Sequence, residues 1–207
     1  YSYLSSKLRK SEAIFTKEEN VGENPKLADY QAILKTKNMK IFSPFGFNNS
    51  YAIAIKKTLA DERDLKTISH LKSNADLKVS FSHEFINRDD GWPSMKKVYD
   101  LDFAPTGIQH GLAYKAIDEG GIDLTDAFTT DGDIERYGLI ILRDDLNFFP
   151  KYFGVSLTRN DFPERAMALL NQLEGRLGDD TMRLLNSEVV INKKSFSEVA
   201  NTFLLNE

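Results

Sequence analysis

The chain has 207 residues, 41% hydrophobic and 28% charged, with a net charge of −4 and a sequence pI near 5.5. That length buries a real core, as one large domain or as two lobes, and the acidic balance argues against a nucleic-acid partner, which a basic face would mark. Cysteine is absent, so disulfides, thiolate metal sites and a cysteine nucleophile are excluded, and an oxidising compartment is a natural fit.

The opening YSYLSSKLRK is polar and lacks the apolar stretch of a secretory signal, so any such signal has been removed or lies upstream; no later run is apolar for long enough to span a bilayer. Leu4 and Leu8 form a short amphipathic patch, and ENPKLADYQAILK predicts a helix opened by Pro25. A short strand follows over 39–42, stopped by Ser43-Pro44, and an apolar strand over 51–55. A strand over 78–81 precedes a helix opened by Pro93 and ending near Tyr99. Residues 111–117 predict a helix with Leu112, Ala113, Ala116 and Ile117 inward, closed by Gly120-Gly121. Strands are expected over 124–128, 137–142 and 155–157, then helices over 162–173, 179–189 and 196–205. Ser195 and Glu198 have the spacing of a capping box for the last helix. Strands alternating with helices imply an α/β protein with a mostly parallel sheet.

No enzyme constellation stands out. His70, His83 and His110 are far apart with no helical pairing, so no metal site is expected, and no nucleotide-binding or nucleophile-elbow motif occurs. The pair Asp144-Asp145 has the residue type for acid–base work, but at a strand end a solvated turn or a helix cap is the plainer role. Three segments concentrate polar and aromatic side chains instead: GFNNSYAIAIKK (46–57), HEFINRDDGWPSM (83–95) and DAFTTDGDIERYGLIILRDDLNFFPKY (126–152). Aromatic faces with carboxylates bind quaternary ammonium cations, and an arginine fork binds a carboxylate, so the set describes a receptor for a zwitterion such as a betaine. Each residue also has a plainer reading. Tyr51 after Asn48-Asn49 fits an Asx turn with a half-buried ring, Glu84 and Arg88 fit an i, i+4 helix pair, Trp92 a hydrophobic staple and Phe148-Phe149 core.

Together these segments resemble the substrate-binding proteins of glycine betaine, carnitine and choline ABC importers, the osmoprotectant-uptake family. The resemblance runs from about Phe42 to the C-terminus through GFNNSYA, EFINRDDGWP, AFTTDGDI, LRDDLNFFPKY and LEGRLGDDTMRLLN. It implies a type II periplasmic-binding-protein fold: two α/β lobes with mixed sheets and two crossover strands, the ligand clamped between lobes that close on it. By position, residues 1–48 are lobe I, 49–149 lobe II and 150–207 the C-terminal part of lobe I, which carries the closing helices. Family proteins have a further stretch before the segment that opens this chain, so lobe I is expected to lack its N-terminal part.

The resemblance further implies an aromatic cage in which Tyr51 and Tyr152 match two family tyrosines, and Phe128 stands where tyrosine is usual. Arg88 matches the residue that forks onto a ligand carboxylate, and Glu84 and Asn49 match flanking polar positions. Trp92 and His83 replace more usual family residues near the site, which would suit a larger or aromatic ligand. The implied protein is a non-enzymatic, cofactor-free monomer, periplasmic or at the cell surface, free or joined to the membrane. Its partners are a small quaternary-ammonium ligand and a membrane permease, with no nucleic acid. Alternatives are a sensory module of the same fold and a small α/β enzyme.

Overall fold

The computed structural model describes residues 27–205, so the Leu4–Leu8 patch and the helix start at Pro25 lie outside the described residues. The chain divides into two compact units. One holds residues 27–49 together with 151–179; the other holds 50–150 and 180–205.

In the first unit, helix α1 (Leu27–Thr36) buries Tyr30 and Leu34, one helical turn apart, against strand β1 (Met39–Ile41). Asn38, at φ 58°, turns the chain between them. Strand β1 pairs antiparallel with β7 (Leu157–Arg159), matching Met39 to Arg159. The segments that follow β1 and precede β7 continue this pairing. Phe42 N donates to Ser156 O (3.0 Å), Phe45 N to Gly154 O (2.9 Å) and Asn49 N to Tyr152 O (3.0 Å). The Asn48 side chain closes the ladder: its Oδ1 accepts from Tyr152 N at 2.5 Å, while its own N–H donates to Asp179 Oδ1. Helix α7 (Glu164–Asn171) completes the elements of this unit.

The second unit is built on strand β2 (Tyr51–Lys56), whose residues from Tyr51 to Ile55 are all buried. It lies between β5 (Leu124–Phe128) and β6 (Leu139–Leu142), antiparallel to both. The expected mostly parallel sheet is thus corrected: the one parallel strand pair among the described residues is β3 (Ser80–Ser82) with β4 (Thr106–Ile108). The alternation of strands with helices suggested parallel strands, but here the returning chain lies alongside β2 in the opposite sense on each side. Alternation along β2 sorts the core. Tyr51, Ile53 and Ile55 face a cluster with Phe81, Phe85, Trp92 and Met95; Ala54 on the other face packs with Tyr114, Ile117 and Ala127.

Short helices ring this sheet: α2 (Lys57–Glu62), a 3-10 turn (Ile68–Ser73), α3 (His83–Asn87), α4 (Trp92–Val98), α5 (His110–Asp118) and α6 (Asp133–Arg136). The two last helices, α8 (Asp179–Val190) and α9 (Phe196–Leu205), also belong here from residue 180 onward, where the resemblance assigns them to lobe I. Hydrogen bonds hold α8 in place: Arg183 Nε donates to Thr129 O and Asn186 Nδ2 to Thr130 O. The helix backbone also lies on Gly132, where an added Cβ would stand 2.6 Å from Ser187 N. At the start of α9 the Glu198 carboxylate accepts from Ser195 N and Oγ, the expected capping box.

Candidate binding cavity

Tyr51 and Phe128 are direct partners across the antiparallel β2–β5 pair, so their side chains share a face, with ring centroids 4.7 Å apart. Phe85 and Phe149 back the Tyr51 ring at 5.2 and 6.3 Å. In front of the Tyr51–Phe128 pair lies a cavity of about 300 Å³, lined also by Ser82, His83, Glu84, Ile108, Gln109 and His110. Every one of these residues belongs to the second unit, so the cavity is described within that unit alone.

Ser82 organises one wall. Its hydroxyl oxygen accepts from Phe85 N and caps α3, which carries His83 and Glu84. The same hydroxyl donates to Asp126 Oδ2 (2.7 Å), and Ser82 N donates to Asp126 Oδ1. The His83 ring lies against Gly107 on β4, where the Cβ of any other residue would meet its Nδ1 at 2.5 Å. Glycine there leaves room for the imidazole on that wall.

Two carboxyl groups stand beside His110, which also lines the cavity. His110, the first residue of α5, places Nε2 3.1 Å from Asp131 Oδ2 and Nδ1 3.7 Å from Asp126 Oδ2. Asp126 is fully buried. Burial is the largest influence on the His110 proton and opposes the charge, but the two carboxylates together outweigh it and raise the imidazole from 6.5 to about 9. Asp131 Oδ2 also accepts from Tyr114 Oη and from Phe128 N, which ties the cluster to the end of β5. Burial, with Asp131 next, pushes the Tyr114 phenol well above its ordinary range. At neutral pH the imidazole therefore keeps its proton beside the two carboxyl groups.

Of the residues expected from the sequence, Tyr51, Phe128 and Glu84 line this cavity. Arg88 stands at its margin, with its guanidinium 5.8 Å from the Tyr51 ring centroid. The fork is engaged within the chain: Nε and Nη2 donate to the two Asp90 oxygens at 2.8 and 2.6 Å, and Nη1 lies 3.4 Å from Glu84. Asn49 and Tyr152 belong to the first unit, paired through backbone. Trp92 is a correction: it is buried between Phe81 and Phe103 in the core, where its indole fills volume and does not reach the cavity, whereas His83 does reach it. Asp144 takes the plainer of its two readings. Its carboxylate accepts from Tyr99 Oη and from Phe148 N and Phe149 N, which closes the aromatic corner.

The His110 cluster is what the sequence reading missed. The spacing of the three histidines points to no metal site, and His110 meets its partners only through the fold. A signal was present in LTDAF: by strand alternation Asp126 shares the inward face with Leu124 and Phe128, and a carboxylate at such a position needs a partner.

Residues 18–206 match the substrate-binding domain of ABC-type glycine betaine transport systems. The chain belongs to that family. Its members are binding components of transporters and not enzymes, and the fold is the type II periplasmic-binding-protein fold. Over 167 residues, covering 77% of this chain and 30% of the other, it is 35% identical to an ergothioneine transport permease/ergothioneine-binding protein of Helicobacter pylori. It is 31% identical over 169 residues to a carnitine transport binding protein of Listeria monocytogenes, covering 79% of this chain and 55% of that one. A crystal structure of a glycine betaine/carnitine/choline ABC transporter protein superposes with a TM-score of 0.80 at 32% identity, over 87% of this chain and 68% of that one. The chain thus spans about half or less of the length of these two curated relatives. No helix among the described residues is long and apolar enough to cross a membrane.

Proposed function

We propose that this chain is the receptor part of an extracytoplasmic ABC importer and binds a quaternary-ammonium compound: a betaine, carnitine, choline or a larger betaine. The observation that carries the ligand class is the paired Tyr51 and Phe128 faces opening on a cavity also lined by Glu84 and by His110, the latter beside the Asp126 and Asp131 carboxyl groups. A trimethylammonium group cannot donate a hydrogen bond, so it is recognised by ring faces and diffuse negative charge, and this cavity supplies both. Tyr152, Arg88 and Asn49 are proposed as further ligand contacts on the strength of the family resemblance. A membrane permease is the proposed partner.

Titration calorimetry against glycine betaine, carnitine and choline, with ergothioneine as the ring-bearing member, tests the reading. Binding of at least one is expected, with no chemical conversion of it. Turnover at a catalytic rate, or no binding of any of the four, would overturn it.

A further inference from the structure

The cluster of His110, Asp126 and Asp131 is more elaborate than a core needs. Asp126 already receives two hydrogen bonds from Ser82, and Asp131 receives one each from Tyr114 and Phe128. The imidazole is not required to satisfy either carboxylate; its contribution is a proton and a positive charge beside the cage. Its ring centroid lies 5.3 Å from that of Phe128. A cation on the Phe128 face would therefore stand within about 10 Å of the imidazolium, in a partly enclosed site where like charges repel.

We propose that His110 is a proton-linked positioning residue: a quaternary ammonium ion beside Phe128 and the His110 proton oppose each other's binding, so that where the imidazole titrates the ligand's charge takes the proton's place. The proposal rests on the cation-binding reading above. The charge balance is simple. One positive charge leaves the cluster with the proton to solvent, and the arriving +1 restores the sum. Other ionisable groups face this place from each neighbouring element: Asp126 on β5, Asp131 in the turn after it, Tyr114 one turn along α5, and His83 and Glu84 on α3. A quaternary ammonium carries no dissociable proton, so a pH dependence of its affinity reports on the protein.

The test is calorimetric titration of the protein with glycine betaine, carnitine and choline at pH 7 and pH 10, in buffers of different ionisation enthalpy. Expected are an affinity about tenfold higher at pH 10, from one charge repulsion removed, and fractional proton release on binding near pH 8 to 9. His110→Gln should abolish both effects. If that variant does not fold, the His110 ring resonances of the wild-type protein serve instead, and ligand must move their titration to lower pH. Affinity that is flat overturns the proposal and leaves the receptor reading intact. Affinity that falls with pH also overturns it, because a ligand carboxylate would then face the imidazolium. Absence of binding by all three at both pH values overturns this proposal, and the receptor reading falls with it only if ergothioneine also fails to bind.

Discussion

Replacing His110 by glutamine tests whether the His110 cluster also stabilises the fold without ligand. The imidazole is raised from 6.5 to about 9 by Asp126 and Asp131 against the cost of burial. A group raised in the folded state contributes stability that is complete below its unfolded value and is lost as pH rises through the folded one. The contribution is therefore full below about pH 6.5 and gone above about pH 9. That span corresponds to about 3 kcal/mol. The side chain is 31% exposed, and solvent screening reduces the expected figure to about 2 kcal/mol. Urea denaturation of the wild-type protein and of His110→Gln, at intervals from pH 6 to pH 10, measures it. The variant should be the less stable at pH 6.5, and the gap should narrow by about 2 kcal/mol by pH 9.5. Lysine and tyrosine titrations common to both proteins cancel in the difference. A gap constant across that range would refute the reasoning, since His110 would then stabilise by packing alone.

Three other substitutions separate the roles assigned above. Phe128→Ala should weaken ligand binding by about 1–2 kcal/mol by calorimetry, the scale of a desolvated cation–π contact, while Phe128→Tyr stays within about 0.5 kcal/mol because the ring face remains. Arg88→Ala should cost a carboxylate-bearing betaine more affinity than it costs choline; equal losses would assign the guanidinium to holding Asp90 and Glu84 in place. Asp144→Ala should destabilise the fold by about 2–3 kcal/mol in denaturant, because it leaves the Phe148 and Phe149 N–H groups and the Tyr99 hydroxyl without their acceptor. A thermal midpoint unchanged by Asp144→Ala would return that residue to the list of functional candidates.

Periodicity and punctuation in the sequence located most elements of the second unit. Leu124–Phe128 is a strand with the expected bounds, and Ser195 caps α9 through Glu198 as its spacing implied. Strand direction was not legible. Nothing within YAIAIK states whether its neighbours run with or against it, and the helices between strands suggested the wrong sense. Short elements also escaped: β4 (Thr106–Ile108) follows a proline and contains a glycine, and its pairing with β3 comes from packing that no window of sequence displays. Asp126, His110 and Asp131 are legible singly as polar residues, but the distances that make them one charged group arise only when β5 and α5 are packed together.

The ring pair shows why the two kinds of signal differ. Tyr51 and Phe128 are 77 positions apart in sequence numbering, yet they are direct partners because Ile53 pairs with Asp126 and Ile55 with Leu124 along the same ladder. The apolar face of β2 sets that register, since a slip of one residue would turn Tyr51, Ile53 and Ile55 away from the cluster they fill. The same register puts Asp126 on the face of the sheet that carries Tyr51 and Phe128, two residues from Phe128 and within reach of Ser82 and His110. Core burial thus fixes the spacing between ring faces and countercharge. A substitution that shifts the β2–β5 register would pull apart the ring pair and the His110 cluster together, even if every residue of both were retained.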